Sequence, residues 1–210
     1  TYSASSDNEN VTAEVSSGNL LTLTPALNFN GSATISVTAN DGTEDSNVET
    51  FTLTVSPVND APVLSAIADT TTQEEVAVDI ILSAADVDDG DILTYSASSD
   101  NENVTPEVSG NLLTLTPALN FNGLATISVT ANDGTEDSNT ETFVLTVSAV
   151  NDAPVMVAIT DTTTQEEVAL QIIMSATDVD GDDVFTYSAS SDNENVTAEV
   201  SSGNLLTLTP

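Results

Sequence analysis

Apolar and polar residues alternate along most of the chain with a period of two, not the 3.6 residues of a helix. The clearest runs are Val78 to Ala84, Leu93 to Ala97, Leu113 to Leu115, Ile127 to Val129 and Phe143 to Val147. The positions between the apolar residues are largely Thr and Ser, which suit the solvent-facing side of a strand. The pattern therefore predicts half-buried β-strands and no amphipathic helix.

Turn sequences separate these runs at short intervals. They are Asp89-Gly90, Ser109-Gly110-Asn111, Asn122-Gly123 and Asp133-Gly134, and each contains the glycine that tight turns favour. About seven short strands joined by such turns are typical of a two-sheet antiparallel β-sandwich of the immunoglobulin type. We therefore predict an all-β chain in which Leu, Ile, Val and Phe fill the space between two sheets.

The same segments recur in step along the chain. The segment TYSASSDNENVT begins at Thr1, Thr94 and Thr186, and VNDAPV, TTTQEEVA and LTLTPALNFNG recur in the same order. The repeat is therefore about 92 residues long, which is a plausible size for one domain. We predict the back of one repeat at residues 1–58, a complete repeat at 59–150 and the front of a third at 151–210. Because Thr1 is not a natural start, we expect the chain to be part of a longer protein.

All charged side chains of the chain are acidic. It contains 34 Asp and Glu but no Lys, Arg or His, so the formal net charge is −34. Nucleic acid is excluded as an electrostatic partner because binding to phosphates requires cations, and an anionic membrane surface is disfavoured for the same reason. Self-repulsion of this size opposes a compact state unless salt or bound cations screen it.

The residue types that are missing also narrow the function. With no Cys there are neither disulfides nor thiolate metal sites, and no apolar run approaches the roughly 20 residues of a membrane span. We therefore expect no membrane insertion. Nucleophile–base pairs and cationic clamps cannot be built without His, Cys, Lys and Arg. Paired carboxylates that recur in every repeat fit metal binding better than glycoside hydrolysis, so we predict that the chain is not an enzyme.

The acidic residues gather where one repeat joins the next. Strands in a sandwich alternate in direction, so their connecting loops collect at its two ends. At the leading end of the complete repeat, the linker Asn59-Asp60 is expected to face Asp86, Asp88, Asp91 and Asp133. At its trailing end, Asn151-Asp152 is expected to face Glu74, Glu75 and Asp100, together with Asp178, Asp180 and Asp182 of the third repeat.

Each joint therefore offers oxygen ligands from two repeats and a linker. Ca²⁺ takes 6–8 oxygen ligands at roughly 2.3–2.6 Å and tolerates flexible loops, whereas Mg²⁺ demands tighter octahedral sites and keeps its water. We predict Ca²⁺ as the cofactor, with Mg²⁺ second. The alternative is that Asp-Gly and Asn-Asp clusters only form turns, but three clusters converging on one joint favour metal binding. Glu136 and Asp137 are interpreted as solvated loop charges.

The run that begins at Asp178 superficially matches a helix–loop–helix calcium loop. Residue 183 is Asp where the sharp-turn Gly belongs, and residue 189 is Ala where the bidentate Glu belongs. We reject that interpretation.

The order of these motifs resembles bacterial cadherin-like tandem repeats, which occur in large secreted adhesins of the RTX type. The motifs are E-E, D-x-D-x-G-D-x-L-T-Y, P-A-L-N-F-N-G, V-T-A-N-D-G and V-N-D-A-P-V. The resemblance implies tandem seven-stranded cadherin-like sandwiches stacked rigidly end to end, Ca²⁺ at the joints and a location outside the cell or on the bacterial cell surface. Because the animal L-D-R-E motif is absent, it also implies fewer ions per joint than in animal cadherins.

The same resemblance implies roles for individual residues. The N-D pairs and D-x-D pairs named above match ligand motifs of the family. The aspartate of the family's N-D-G motif corresponds to Asp41 and Asp133. The glutamate of the family's first strand corresponds to Glu74 and Glu166, and the neighbouring Glu75 and Glu167 are alternatives.

Three functions remain to be weighed. The leading prediction is a stalk that is stiffened by Ca²⁺ and projects a distant adhesive domain, with neighbouring repeats of the same chain as its partners. The alternative is a subunit of a Ca²⁺-dependent extracellular filament or surface layer, in which exposed Thr/Ser faces or edge strands make homophilic contacts. A carbohydrate-binding module is disfavoured because the chain has no Trp and three Tyr, which we interpret as core or rim residues.

Overall fold

The computed structural model describes residues 1–88, 90, 92–181 and 184–210. All regular structure in these residues is β, in nineteen strands, as the alternation predicts. The first segment, residues 1–58, contains β1 (Tyr2–Ser6), β2 (Val11–Ser16), β3 (Leu20–Pro25), β4 (Gly31–Ala39) and β5 (Glu49–Val55). They form a three-stranded sheet in the order β1-β4-β5 and a β2-β3 hairpin.

The complete repeat, residues 59–150, forms a two-sheet sandwich. Its strands are β6 (Val63–Leu64), β7 (Thr70–Gln73), β8 (Val78–Ile81), β9 (Ala84–Ala85), β10 (Thr94–Ser99), β11 (Val104–Ser109), β12 (Leu112–Pro117), β13 (Gly123–Asn132) and β14 (Glu141–Ser148). One sheet has the order β10-β13-β14-β7 and the other β11-β12-β8, with β6 paired to β9. This arrangement confirms the predicted all-β sandwich.

One strand pair is not antiparallel. β7 runs parallel to β14, with Thr70 opposite Leu145 and Gln73 opposite Ser148. The reason is that the first strand of the repeat is divided: β6 pairs with β9, and the chain then crosses to the other sheet as β7. Similarly, β8 and β9 divide the predicted second strand around the buried Leu82.

The core of the complete repeat lies between its two sheets. Its buried side chains come from alternate positions of the strands, among them Leu113 and Leu115 on β12, Ile127 on β13 and Leu145 on β14. Fully burying one such side chain contributes roughly 1.5–3 kcal/mol. Tyr95 packs against this core, and its hydroxyl accepts the amide of Ala84 at 3.1 Å, which confirms the interpretation of this tyrosine as a core or rim residue.

The third segment, residues 151–210, repeats the first half of this pattern. It contains β15 (Val155–Met156), β16 (Leu170–Ile173), β17 (Ala176–Thr177), β18 (Thr197–Val200) and β19 (Leu205–Thr209), paired as β15-β17 and β16-β19-β18. Residues 184–191 form no strand, although the equivalent residues of the complete repeat form β10. The reason is that β10 pairs with β13, and residues 151–210 contain no counterpart of β13.

No helix in the described part of the chain is long and apolar enough to cross a membrane.

Candidate metal centre at the joints

Two joints, centred on residues 58–62 and 150–154, connect the segments, and each has a D-x-D turn beside it. In the first joint, Oδ1 of Asp86 accepts the amide of Asp88 at 2.9 Å. In the second joint, Oδ1 of Asp178 accepts the amide of Asp180 at 3.0 Å. In each turn the remaining oxygen, Oδ2 of Asp86 or of Asp178, is buried and has no hydrogen-bond partner among the described residues.

Such an oxygen is chemically unusual. A buried polar atom without a partner is unfavourable, and such atoms are nearly always satisfied by protein, water or an ion. Both D-x-D turns place the same oxygen in this condition, which makes the first aspartate of each turn the strongest candidate ligand in the structure.

The second aspartate of each turn holds the linker. Oδ2 of Asp88 accepts the amide of Asp60 at 2.7 Å, and Oδ2 of Asp180 accepts the amide of Asp152 at 2.7 Å. The backbone of each linker acid is thereby held beside a D-x-D turn. The three residues of each D-x-D pattern therefore form both a local turn and a contact with the linker, in the same way at both joints.

The loop between β13 and β14 adds a further acid to the first joint. Oδ1 of Asp133 accepts the amides of Thr135 at 2.6 Å and Glu136 at 2.7 Å, and its Oδ2 accepts Nδ2 of Asn59 at 2.9 Å. The amide of Glu136, followed by the side chain of Asn59, holds the pKa of Asp133 below its usual value. Asp133 therefore stays ionised while it faces the linker.

The first segment has the same loop without a linker against it. Oδ1 of Asp41 accepts the amides of Thr43 at 2.8 Å and Glu44 at 3.0 Å. Its pKa is lowered, chiefly by the amide of Glu44, and the side chain is exposed. Asp41 thus has the local geometry of Asp133 but does not contact either joint through a hydrogen bond in the described residues.

Glu74 and Glu75 differ in position although they are adjacent. Glu74 is only 5% exposed, and its Oε1 accepts the amide of Val150 at the start of the second joint. Its own amide donates to the carbonyl of Ser148 at 3.0 Å. Glu74 therefore ties the turn after β7 to the end of β14 and to the linker.

Glu75 points into the second joint instead. It lines a hollow of about 570 Å³ together with Asn120, Asp152 and Asp178. Its φ of +63° is sparsely populated for a residue with a long side chain, and backbone strain of this kind clusters at functional sites. Glu167 has the same conformation, with φ of +64°, and both it and Glu166 are exposed in the third segment.

Asn28 and Asn120 were not singled out by sequence reasoning. Asn28 lines a hollow of about 400 Å³ in the first joint with Asp60 and Asp88, and Asn120 occupies the corresponding place in the second joint. Both have positive φ, +58° and +56°. The only signal in the sequence was an Asn in the recurring turn A-L-N-F, where Asn is favoured because it tolerates this backbone conformation.

The structure does not bring every predicted residue to a joint. Oδ1 of Asp100 accepts the amide of Thr126 at 2.7 Å, which fastens it to β13. Among the described residues, no hydrogen bond links it to the second linker. Nδ2 of Asn151 donates to the carbonyl of Asp152 at 2.6 Å and, within the described ranges, to no loop aspartate. Asp91 and Asp182 lie outside the described residues.

These groups fit a hard cation by their chemistry. In the described part of the chain no three acidic side chains are arranged closely enough to hold a metal ion. The donors at the joints are nonetheless all carboxylate, amide or carbonyl oxygens, which suit Ca²⁺. The unpartnered oxygens of Asp86 and Asp178 supply the observation in favour of a bound cation.

Sequence comparison identifies one family. A family model for the bacterial Ig domain matches residues 1–54 and 59–146. Among curated proteins, none matches the chain.

Several solved structures are similar over long stretches. Human mucin-like protocadherin EC1-2 is 22% identical with a TM-score of 0.46, over 71% of this chain and 85% of that chain. The protocadherin gamma B2 extracellular cadherin domains 1–5 are 18% identical with a TM-score of 0.49, over 99% of this chain and 45% of theirs. The protocadherin gamma B4 extracellular domain is 21% identical with a TM-score of 0.46, over 99% and 40%. The chain spans less than half of the two gamma structures.

Proposed function

Because this chain belongs to the bacterial Ig domain family, we propose that it is a stalk segment of a large extracellular bacterial adhesin of the RTX type. In this proposal Ca²⁺ at the joints stiffens consecutive domains, which are residues 1–58, 59–150 and 151–210. Ig-type domains are structural folds of adhesion proteins, so the chain is not an enzyme, as the residue types predict. Its proposed partners are the neighbouring domains of the same chain.

One observation carries the proposal. In the described part of the chain, the Oδ2 atoms of Asp86 and Asp178 are buried without a partner at the same position of two successive joints. A single orphaned oxygen could be a local packing feature, but its recurrence 92 residues later (178 minus 86) follows the repeat. A divalent cation supplies the positive charge that such an oxygen requires, and this chain has no cationic side chain to do so.

The residues proposed to hold the ion are acids that contact the linker, lie in the turn beside it or line the hollow at each joint. At the first joint they are Asp60, Asp86, Asp88 and Asp133, and at the second joint they are Glu75, Asp152, Asp178 and Asp180. We propose that Glu74 acts by holding the linker through the amide of Val150. Further predicted ligands that these contacts leave untested are Asp41, Asn59, Asp91, Asp100, Asn151, Glu166, Glu167 and Asp182.

The mechanical effect follows from charge. Without a cation, the carboxylates of two domains and their linker repel one another, and this repulsion favours bent or open joints. At the second joint, bound Ca²⁺ would draw Glu75 of one domain and Asp178 and Asp180 of the next to one point. The hydrogen bonds of Asp88 and Asp180 already hold each linker in one conformation, so less conformational entropy is lost when the ion binds.

Calcium titration monitored by small-angle X-ray scattering tests the stalk directly. We expect the maximum dimension of the chain to increase and its flexibility to fall between a chelated sample and one in millimolar Ca²⁺. Asp178→Asn should weaken calcium binding in calorimetry by at least about tenfold, since each lost ligand charge lowers affinity. Glu136→Gln removes the same charge from a loop at the first joint and should leave binding unchanged.

Two results would contradict the proposal. One is an unchanged maximum dimension between the chelated and the calcium-loaded samples. The other is an equal loss of calcium affinity in Asp178→Asn and Glu136→Gln, because this would mean that the ion responds only to net charge.

A further inference from the structure

One sheet of the complete repeat presents an uncharged outer face. The outward residues are every second residue from Leu124 to Asn132 on β13 and from Thr142 to Ser148 on β14, whereas the residues between them face the core. These outward residues are Thr, Ser, Asn, Leu and Val. The neighbouring strands continue this face with Ser96 and Ser98 on β10 and Thr71 on β7. We call these outward positions of β10, β13, β14 and β7 the hydroxyl face.

The register of the sheet arranges these side chains in rows. Ser98 lies opposite Ser128, and Ser128 lies opposite Thr142. Neighbouring strands are about 4.8 Å apart, and successive outward residues of one strand are about 6.8 Å apart. The hydroxyls of Ser96 and Thr130 hydrogen-bond each other at 2.7 Å. The face therefore consists of rows of mostly short side chains, of which Ser96 and Thr130 are joined by a hydrogen bond.

The same face occurs in the first segment. In the sheet β1-β4-β5, Ser3 hydrogen-bonds Thr38 at 2.6 Å, which reproduces the pair formed by Ser96 and Thr130. Where the complete repeat has Leu124 and Val144, the first segment has Ser32 and Thr52. The uncharged character of the face is therefore retained even where its individual residues change.

The opposite sheet is different. Thr114 on β12 lies between Asp79 on β8 and Glu107 on β11, so its outer face carries acids in its middle. The described carboxylates that bond to the sheet of the hydroxyl face lie at strand ends. At the end of β13, Asp137 accepts Nδ2 of Asn132 at 2.8 Å. Asp69 accepts the amide of Val144 and Asp100 accepts the amide of Thr126, each at 2.7 Å.

We propose that the hydroxyl face is the surface on which a second copy of this chain packs, sheet against sheet. The chain carries a net charge of −34 and no cation, so a contact that includes acidic residues of both copies is repulsive. The hydroxyl face avoids that cost because its outward positions carry no charge. This inference deepens the proposed function, on which it rests, by naming a lateral contact between neighbouring stalks.

The size of the face limits the strength of one contact. Four strands of about seven residues cover about 450 Å², whereas stable interfaces bury about 800 Å² per partner. A single pair of faces should therefore bind weakly. Tandem repetition changes this, because each further pair of faces forms as an intramolecular event at high effective concentration.

Sedimentation equilibrium of the 210-residue chain in Ca²⁺ tests the proposal. We expect a monomer–dimer equilibrium that strengthens from 0.05 to about 1 M NaCl, because salt screens the remaining acids. The double variant Ser98→Glu with Thr142→Glu should weaken dimerisation by at least about tenfold. Both positions are exposed and flank Ser128, so circular dichroism should show an unchanged fold.

The matched control is Thr105→Glu with Ser109→Glu, which adds the same charge to exposed positions of β11 on the other sheet. Dimerisation of this control should match the parent chain. The proposal is overturned if both double variants lose dimerisation equally, if neither loses it, or if the parent stays monomeric at about 1 M NaCl. Binding to an insoluble neutral polysaccharide without self-association would assign the face to a carbohydrate. The stalk proposal is tested by the calcium-dependent change in maximum dimension, and the lateral contact is tested by dimerisation. Either proposal can therefore be wrong while the other holds.

Discussion

Aspartate is used in several distinct ways in this molecule, and hydrogen-bond donors decide which way applies. Asp133 and Asp100 are acceptors for backbone amides, so their charge fixes loops and strand ends. Asp88 accepts an amide from the linker. Asp86 uses one oxygen for its own turn and keeps the other buried without a partner. Among the described residues, this oxygen and Oδ2 of Asp178 are both buried and without a donor, which is why we place the cation there first.

Asp100 gives a pH prediction. The amide of Thr126 lowers the pKa of Asp100 from its ordinary value of 3.8, so the native state keeps the charge to lower pH than the unfolded state. The stability that results is present above about pH 4 and is lost as the pH falls through the lowered native pKa. We expect Asp100→Asn to reduce the loss of stability between pH 5 and 2.5.

Urea unfolding in chelator at a series of pH values measures this effect. Glu107→Gln is the control, since it removes one acid from the same repeat without touching the bond to Thr126. If Asp100→Asn and the control leave the same pH dependence as the parent chain, the amide of Thr126 does not stabilise the charged form.

At the scale of the strands, a regular alternation of apolar and polar residues gives a sheet in which one pair of strands is parallel. β7 reaches the opposite sheet from β6 and runs parallel to β14, which places Glu74 directly after a strand that ends beside Ser148. The amide of Glu74 then bonds the carbonyl of Ser148 at 3.0 Å. The crossing of the first strand is thus the structural cause of the contact between Glu74 and the second linker.

A pair of isoleucines tests the assignment of strand faces. Ile127 on β13 is fully buried, whereas Ile81 on β8 is 69% exposed. Ile127→Ala should destabilise the complete repeat by about 2–5 kcal/mol through lost burial and a cavity. Ile81→Ala should cost less than about 1 kcal/mol, which is the span of strand propensity. Chemical denaturation monitored by circular dichroism compares them, and equal losses would show that the faces are assigned wrongly.

The whole chain combines an ordinary apolar content with an extreme charge. Hydrophobic residues make up 39% of the sequence, and the net charge is −34. The core therefore supplies the driving force for folding, and electrostatic self-repulsion opposes it. Because the acids concentrate in loops at the joints, the repulsion acts mainly between neighbouring domains and less on the sandwich interior.

This distribution predicts a strong response to salt. In chelator, raising NaCl from about 0.01 to 1 M shortens the Debye length from roughly 30 to 3 Å, so we expect the melting temperature to rise by several degrees. Differential scanning calorimetry measures the rise. In millimolar Ca²⁺ the same salt series should have a smaller effect, because bound ions already neutralise the joints. An equal rise with and without Ca²⁺ would argue against bound ions.

The local patterns of the sequence determined the strands, the turns and the all-β sandwich. Alternation with a period of two places Ile127 and Leu145 on a buried face whatever their partners are, and turns such as Asn132-Asp133-Gly134 close through bonds between residues two or three apart. The repeat also located the joints and most of the acids that collect there. All of these properties depend on contacts that are near in sequence or on burial alone.

Tertiary structure alone decided how distant segments meet. The parallel pairing of β7 with β14, the different positions of Glu74 and Glu75, and the entry of Asn120 into the second joint depend on residues far apart in the chain. The unpartnered oxygens of Asp86 and Asp178 and the hydroxyl face are properties of the same kind. A pattern in the sequence specifies which residues share a side of one strand, but only the pairing of strands specifies what that side faces.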